Sequence, residues 1–102
     1  MSKWIEIGNL NDIPRQGSRI VTTKDGDIAI FRTAKDTVFA LHDQCPHKQG
    51  ALSQGIVHGN HVTCPLHNWV ISLEDGEAQG HDTGCTKTFS VTLDGEKILL
   101  AV

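Results

Sequence analysis

A chain of 102 residues has room for one domain and one core. Charged residues at 21% and hydrophobic ones at 38% exclude a disordered tail, and a net charge of −3 without any Lys/Arg cluster removes the electrostatic footprint of nucleic-acid binding. The start Met1-Ser2-Lys3-Trp4-Ile5-Glu6 lacks the regions of a signal peptide and no apolar run is long enough to cross a bilayer, so a cytoplasmic protein without membrane contact is expected. Three cysteines cannot close a disulfide framework, in keeping with a reducing compartment.

Short apolar bursts that end at turn residues predict an all-β domain. Ile5 and Ile7 flank Glu6 in a first strand, and residues 9–18 form a connection with one helical turn around Asn11-Asp12-Ile13-Pro14. Strands are expected over 19–23 and 27–33, joined by Lys24-Asp25-Gly26, in which Asp-Gly is a hairpin mark. A polar turn over 34–37 and a strand over 38–42 follow. The runs 55–58 and 61–64 flank Gly59-Asn60, a two-residue connection with the chemistry of a primed turn. Next come a strand over 69–73, a turn over 74–77, an irregular segment over 78–86, and a last hairpin of 88–93 with 97–102 across Asp94-Gly95. No helical period is sustained and no repeat interrupts the pattern.

Two segments carry the chemistry: Cys45-Pro46-His47-Lys48-Gln49-Gly50 and Cys64-Pro65-Leu66-His67-Asn68-Trp69. Each puts a thiol and an imidazole within a few residues, and the hairpin between them sets the loops side by side. Soft thiolates with imidazoles suit zinc or an iron–sulfur centre and hardly suit magnesium or calcium. Cys45 and His47 have Cα atoms at most about 7 Å apart, so they reach two neighbouring metal ions more easily than they wrap one. A two-iron centre with both thiolates on one iron and both imidazoles on the other satisfies the spacing. A mononuclear zinc site is the rival, with an unusual gap in its first pair.

Pro46 and Pro65 stiffen the loops, while Gly50 and Gly55 permit positive φ or a close backbone approach. Cys85 is expected as a buried small hydrophobe, and Trp69 either as core or as a shield for the second loop. His42, His58, His61 and His81 are read as surface or turn residues, since the cage is complete without them. Lys48 and Gln49 are expected at solvent, as are the acidic turns at Asp25, Glu74 and Asp94.

Cys45-x-His47 followed by Cys64-x-x-His67 resembles the motif of Rieske-type [2Fe–2S] proteins, in which two histidines replace two cysteines on one iron. The resemblance implies a Rieske-type antiparallel β-sandwich, a single domain over 1–102 with a small cluster-binding subdomain at about 43–72. It implies Cys45, His47, Cys64 and His67 as the ligands of the cluster, and no catalytic residue on this chain. The wider run through Leu52-Ser53-Gln54-Gly55, Asn68-Trp69-Val70-Ile71, Gly76-Glu77-Ala78 and Gly84-Cys85-Thr86 is similar to the small subunits of assimilatory NAD(P)H-dependent nitrite reductases, most strongly over 45–86. That likeness implies electron transfer in the reduction of nitrite to ammonia, beside a large subunit that carries flavin, a further iron–sulfur cluster and sirohaem. The alternative is a free Rieske ferredoxin that feeds an aromatic-ring dioxygenase. A cage with all four positions filled leaves none for nitrite, so any activity belongs to a complex.

The departures from other Rieske proteins are informative. Respiratory and photosynthetic members carry an extra cysteine in each loop and join the two in a disulfide; Gly50 and Leu66 stand at the matching positions. Where those members place Ser and Tyr hydroxyls, Trp69 and Ile71 stand here, which implies a reduction potential in the lower part of a range of about −150 to +300 mV. The candidate third loop, residues 80–84, contains no proline.

Overall fold

The computed structural model describes residues 4–24, 26–44, 51–64, 69–79 and 84–101. Among them the strands are β1 (Trp4–Asn9), β2 (Gly17–Thr23), β3 (Gly26–Arg32), β4 (Val38–His42), β5 (Ile56–His58), β6 (His61–Thr63), β7 (Val70–Ser72), β8 (Thr88–Phe89), β9 (Val91–Asp94) and β10 (Lys97–Ala101). They pair antiparallel in three sheets, ordered β1-β10-β9, β2-β3-β4-β8 and β5-β6-β7. The all-β reading holds, with no α-helix among the described residues.

β3 explains the layering. Its run Ile28-Ala29-Ile30-Phe31 is wholly buried, because successive side chains of a strand point to opposite faces and both faces are covered. Ile28 and Ile30 pack with Ile13, Ala40, Ile98 and Leu100, which joins the middle sheet to β10. Ala29 and Phe31 pack with Leu41, Val57, Val62 and Ile71, which joins it to the small sheet. The two cores lie on either side of one strand pair.

Polar closures fix the chain between strands. The expected helical turn is a 3-10 turn, Leu10–Asp12, in which the Asn9 side chain accepts the Asn11 N–H at 3.0 Å and Asp12 accepts the Asn9 N–H at 3.0 Å. Arg32 is buried, and its Nη1 donates to the carbonyls of Leu10 and Ile13 at 3.1 and 2.7 Å. Its Nη2 donates to Asp36 at 2.8 Å, and Arg15 Nε reaches the same carboxylate at 2.9 Å.

Two expectations need correction. The strand expected over 88–93 is two strands in different sheets: β8 pairs with β4, β9 pairs with β10, and Ser90 between them accepts the Ala101 N–H at 2.9 Å as the chain crosses from the middle to the outer sheet. Cys85 is exposed rather than buried. It forms a bridge with Glu77, and the next residue, Thr86, takes the inward position.

Candidate metal centre

The segment that carries Cys45 and His47, the first loop, leaves the middle sheet at the end of β4. The Asp43 N–H donates to the Asp27 carbonyl at 2.9 Å, extending the β3–β4 ladder by one bond, and the Gln44 N–H turns back onto the His42 carbonyl at 2.7 Å. The chain returns through a second 3-10 turn, Leu52–Gln54, whose Leu52 is fully buried. The departing and returning segments are tied directly together. Asp43 Oδ1 accepts the Ser53 N–H at 2.7 Å, and Asp43 Oδ2 accepts the Ser53 hydroxyl at 2.9 Å. Ser53 is also tied to β2, where the Ser18 hydroxyl donates to its carbonyl at 2.9 Å.

The second loop joins β6 to β7, and its ends are closed by the Cys64 N–H donating to the Trp69 carbonyl at 2.7 Å. The Cys64 side chain is fully buried in one core with Leu52, Val57, Val62 and Ile71, and Trp69 packs half-buried against it. Trp69 thus belongs to the edge of the core. Gly55 lets the two loops approach: a Cβ there would collide with the Thr63 carbonyl oxygen and lie 3.0 Å from Val62 Cγ2, one and two residues before Cys64. Its φ of −82 shows that the close approach, and not the positive-φ option, is what requires glycine.

Of the four ligands read from the sequence, Cys64 is described; Cys45, His47 and His67 lie outside the described residues, as do Pro46, Lys48, Gln49, Gly50, Pro65, Leu66, Asp25 and His81. Of the candidate third loop only Gly84 is described, and its carbonyl accepts the Ala78 N–H at 2.9 Å while the Gln79 N–H donates to Val70 at 2.8 Å. Gln79, just before that segment, therefore lies beside Val70 of β7.

The remaining histidines occupy other places. His58 and His61 are directly paired across the β5–β6 turn with ring centroids 6.0 Å apart, and the His58 Nε2 shares a 2.7 Å hydrogen bond with the Thr63 hydroxyl. His42 is half-buried at the end of β4. Glu74 and Asp94 are exposed, as expected of solvated turns.

The one candidate donor that is described, Cys64, fits a thiolate-bound metal group. Cys64 is buried, outside any disulfide, and placed where the bases of both loops share one core. Asp43 and Ser53 carried no sequence signal beyond a short acceptor and a short donor on either side of a loop. Two grooves of about 380 and 440 Å³ lie along β4 and β8–β9 and between β1 and β2, and neither is lined by Cys64, Asp43 or Ser53. Cys64 is thus held inside the protein, away from both of these grooves.

Comparison with known proteins agrees with this chemistry. Residues 3–98 match the Rieske [2Fe-2S] domain. The chain is 32% identical over 76 residues to the anthranilate 1,2-dioxygenase ferredoxin subunit of Burkholderia cepacia, covering 74% of this chain and 69% of that one. It is 46% identical over 56 residues to the 4beta-methylsterol monooxygenase of Methylococcus capsulatus, covering 55% of this chain but only 15% of that much longer protein. Among solved structures, one assigned by name as a nitrite reductase NADPH small subunit superimposes with a TM-score of 0.85 at 25% identity, covering 96% of this chain and 97% of that one. The NMR structure of the E. coli protein NirD superimposes with a TM-score of 0.86 at 25% identity, covering 100% and 98%. With its fold, its buried free thiol between two loop bases and a family match over nearly the whole length, the chain belongs to the Rieske [2Fe–2S] domain family, electron-transfer domains whose cofactor is a two-iron cluster.

Proposed function

We propose that this chain is the electron-transferring small subunit of an assimilatory NAD(P)H-dependent nitrite reductase, with Cys45 and Cys64 on one iron and His47 and His67 on the other. The observation that supports the reading is the likeness at 25% identity to nitrite reductase small subunits, a match that covers 96% of this chain and 97% of the compared structure. In this reading residues 43–72 act as the cluster-binding subdomain, the complex works in the cytoplasm, and the partner is a large subunit bearing flavin and sirohaem.

Bound in the cage, the cluster supplies one-electron transfer. The protein's part is to hold and to shield. The buried Cys64 keeps one ligand out of water, while the Asp43–Ser53 tie and the Cys64–Trp69 bond fix the bases of the two loops. Ile71 is fully buried and apolar, so the position where other members place a hydroxyl has no donor to offer. Nitrite binding and bond chemistry then fall to the large subunit.

A second reading, a ferredoxin that serves a ring-hydroxylating dioxygenase, is favoured by the 32% identity to the anthranilate dioxygenase ferredoxin subunit. One experiment separates the two. The purified chain is added to the large nitrite reductase subunit and, in parallel, to a reductase–dioxygenase pair, and NAD(P)H oxidation is followed with nitrite or with aromatic substrate. The first reading expects co-elution with the large subunit and nitrite-dependent oxidation that needs this chain. Oxidation driven only by the dioxygenase pair would transfer the assignment to the second.

A further inference from the structure

Asp43 is a buried carboxylate two residues before Cys45, and its partners span the first loop. Both of its oxygens are engaged by Ser53, one by the backbone N–H at 2.7 Å and one by the hydroxyl at 2.9 Å. Ser53 is fixed from behind by Ser18 and sits beside the fully buried Leu52. The pair therefore joins the two ends of the segment that carries Cys45 and His47, and joins both ends to the middle sheet through the Asp43 N–H bond to Asp27.

We propose that Asp43 is a positioning residue for the first ligand loop: its buried carboxylate, clamped by Ser53 across the loop, holds the two ends together and fixes a negative charge within two residues of Cys45. This rests on the reading of Cys45 and His47 as ligands. The charge has a definite sign of effect. Reduction adds an electron to the centre, and a nearby carboxylate in a poorly screened position opposes it, so the carboxylate lowers the reduction potential. The clamp has a separate effect, which is to slow the opening of the loop and the loss of iron.

The two effects come apart in two variants. Asn at position 43 keeps the shape, accepts the Ser53 N–H with Oδ1 and donates to the Ser53 hydroxyl with Nδ2, so Asp43→Asn removes charge and keeps the tie. Ser53→Ala keeps the charge and removes one of its two donors. The experiment is a redox titration of each holoprotein followed by EPR, with the rate of iron release to a chelator measured on the same samples. Asp43→Asn is expected to raise the midpoint with release close to wild type. Ser53→Ala is expected to release iron about five- to tenfold faster, the loss expected of one buried hydrogen bond, and to leave the midpoint unchanged or lower.

A midpoint for Asp43→Asn equal to or below wild type overturns the proposal, as does a wild-type release rate for Ser53→Ala. Should Asp43→Asn fail to fold, the Ser53→Ala release rate decides alone. Cys45→Ser is carried in parallel. If it retains the wild-type EPR spectrum, the ligand reading itself fails; if it loses the spectrum while both clamp variants match wild type, only the clamp fails.

Discussion

Asp36 stands between two arginines in the left-handed region, at φ 63, where Asp and Asn are among the few non-glycine residues tolerated. The hydrogen bond from Arg15, then the one from Arg32, with a smaller contribution from their charges, holds its carboxyl below the usual carboxylate range. A folded pKa below the unfolded one means that ionised Asp36 favours the native state. Its contribution is complete above the ordinary carboxylate pKa of about 3.9 and is lost as pH falls through the lower folded value. Asp36→Asn keeps the backbone conformation and removes the titration. Urea unfolding measured from pH 7 down to pH 3 is therefore expected to show a shallower acid-side loss of stability in Asp36→Asn than in the wild type. Equal slopes would mean that the two arginines do not favour the ionised form. The site is exposed on the Arg15 side, so the difference should shrink in high salt.

At the scale of elements, two glycines four residues apart do different work. Gly55 has ordinary φ but no room, because the 3-10 turn Leu52–Gln54 packs its end against the Thr63 carbonyl. Gly59 has room but φ 55, because the two-residue turn between β5 and β6 needs a left-handed residue. Ala at 59 costs only the backbone preference, about 1 kcal/mol, whereas Ala at 55 forces a backbone shift of about 1–3 kcal/mol. Urea unfolding of the iron-loaded protein should rank Gly55→Ala below Gly59→Ala, and only Gly55→Ala should speed iron release. Equal destabilisation would remove the steric reason for Gly55. The hairpin was legible in the sequence because Gly59-Asn60 is turn chemistry between two apolar runs, and β4 was legible to the residue because its apolar burst ends in polar turns on both sides. The division of β8 from β9 was not, since an alternating pattern continues through Ser90 and nothing local says that the chain changes sheets. Cys85 shows the same limit at one residue's precision: the inward place belongs to Thr86, and a one-residue shift of register reverses which side chain is buried. The cysteine–histidine spacing pointed to the family directly, whereas the tie that braces it, Asp43 to Ser53, spans ten residues between two common residue types and was invisible.

For the whole molecule, the decisive feature is that the small sheet has no core of its own. Val57, Val62 and Ile71 are buried against Phe31 and Leu41 of the middle sheet, and Cys64 lies within that same cluster. Phe31 shares its strand with Ile30, which packs toward the outer sheet. Stabilisation gained at the metal centre by a group that binds only the native state is then felt by the entire domain. The two tryptophans report on opposite layers, with Trp4 on β1 and Trp69 at the end of the second loop. In Trp4→Phe and Trp69→Phe proteins the remaining indole follows one layer at a time. Removing iron is expected to move both urea transitions to lower concentration by the same amount, with equal steepness, because breaking the small sheet away would expose Phe31 and Leu41 and leave the middle sheet without cover on that face. If the Trp69 transition moves while the Trp4 transition stays, residues 43–72 unfold as a unit of their own, and the shared core does not couple the metal centre to the rest of the fold.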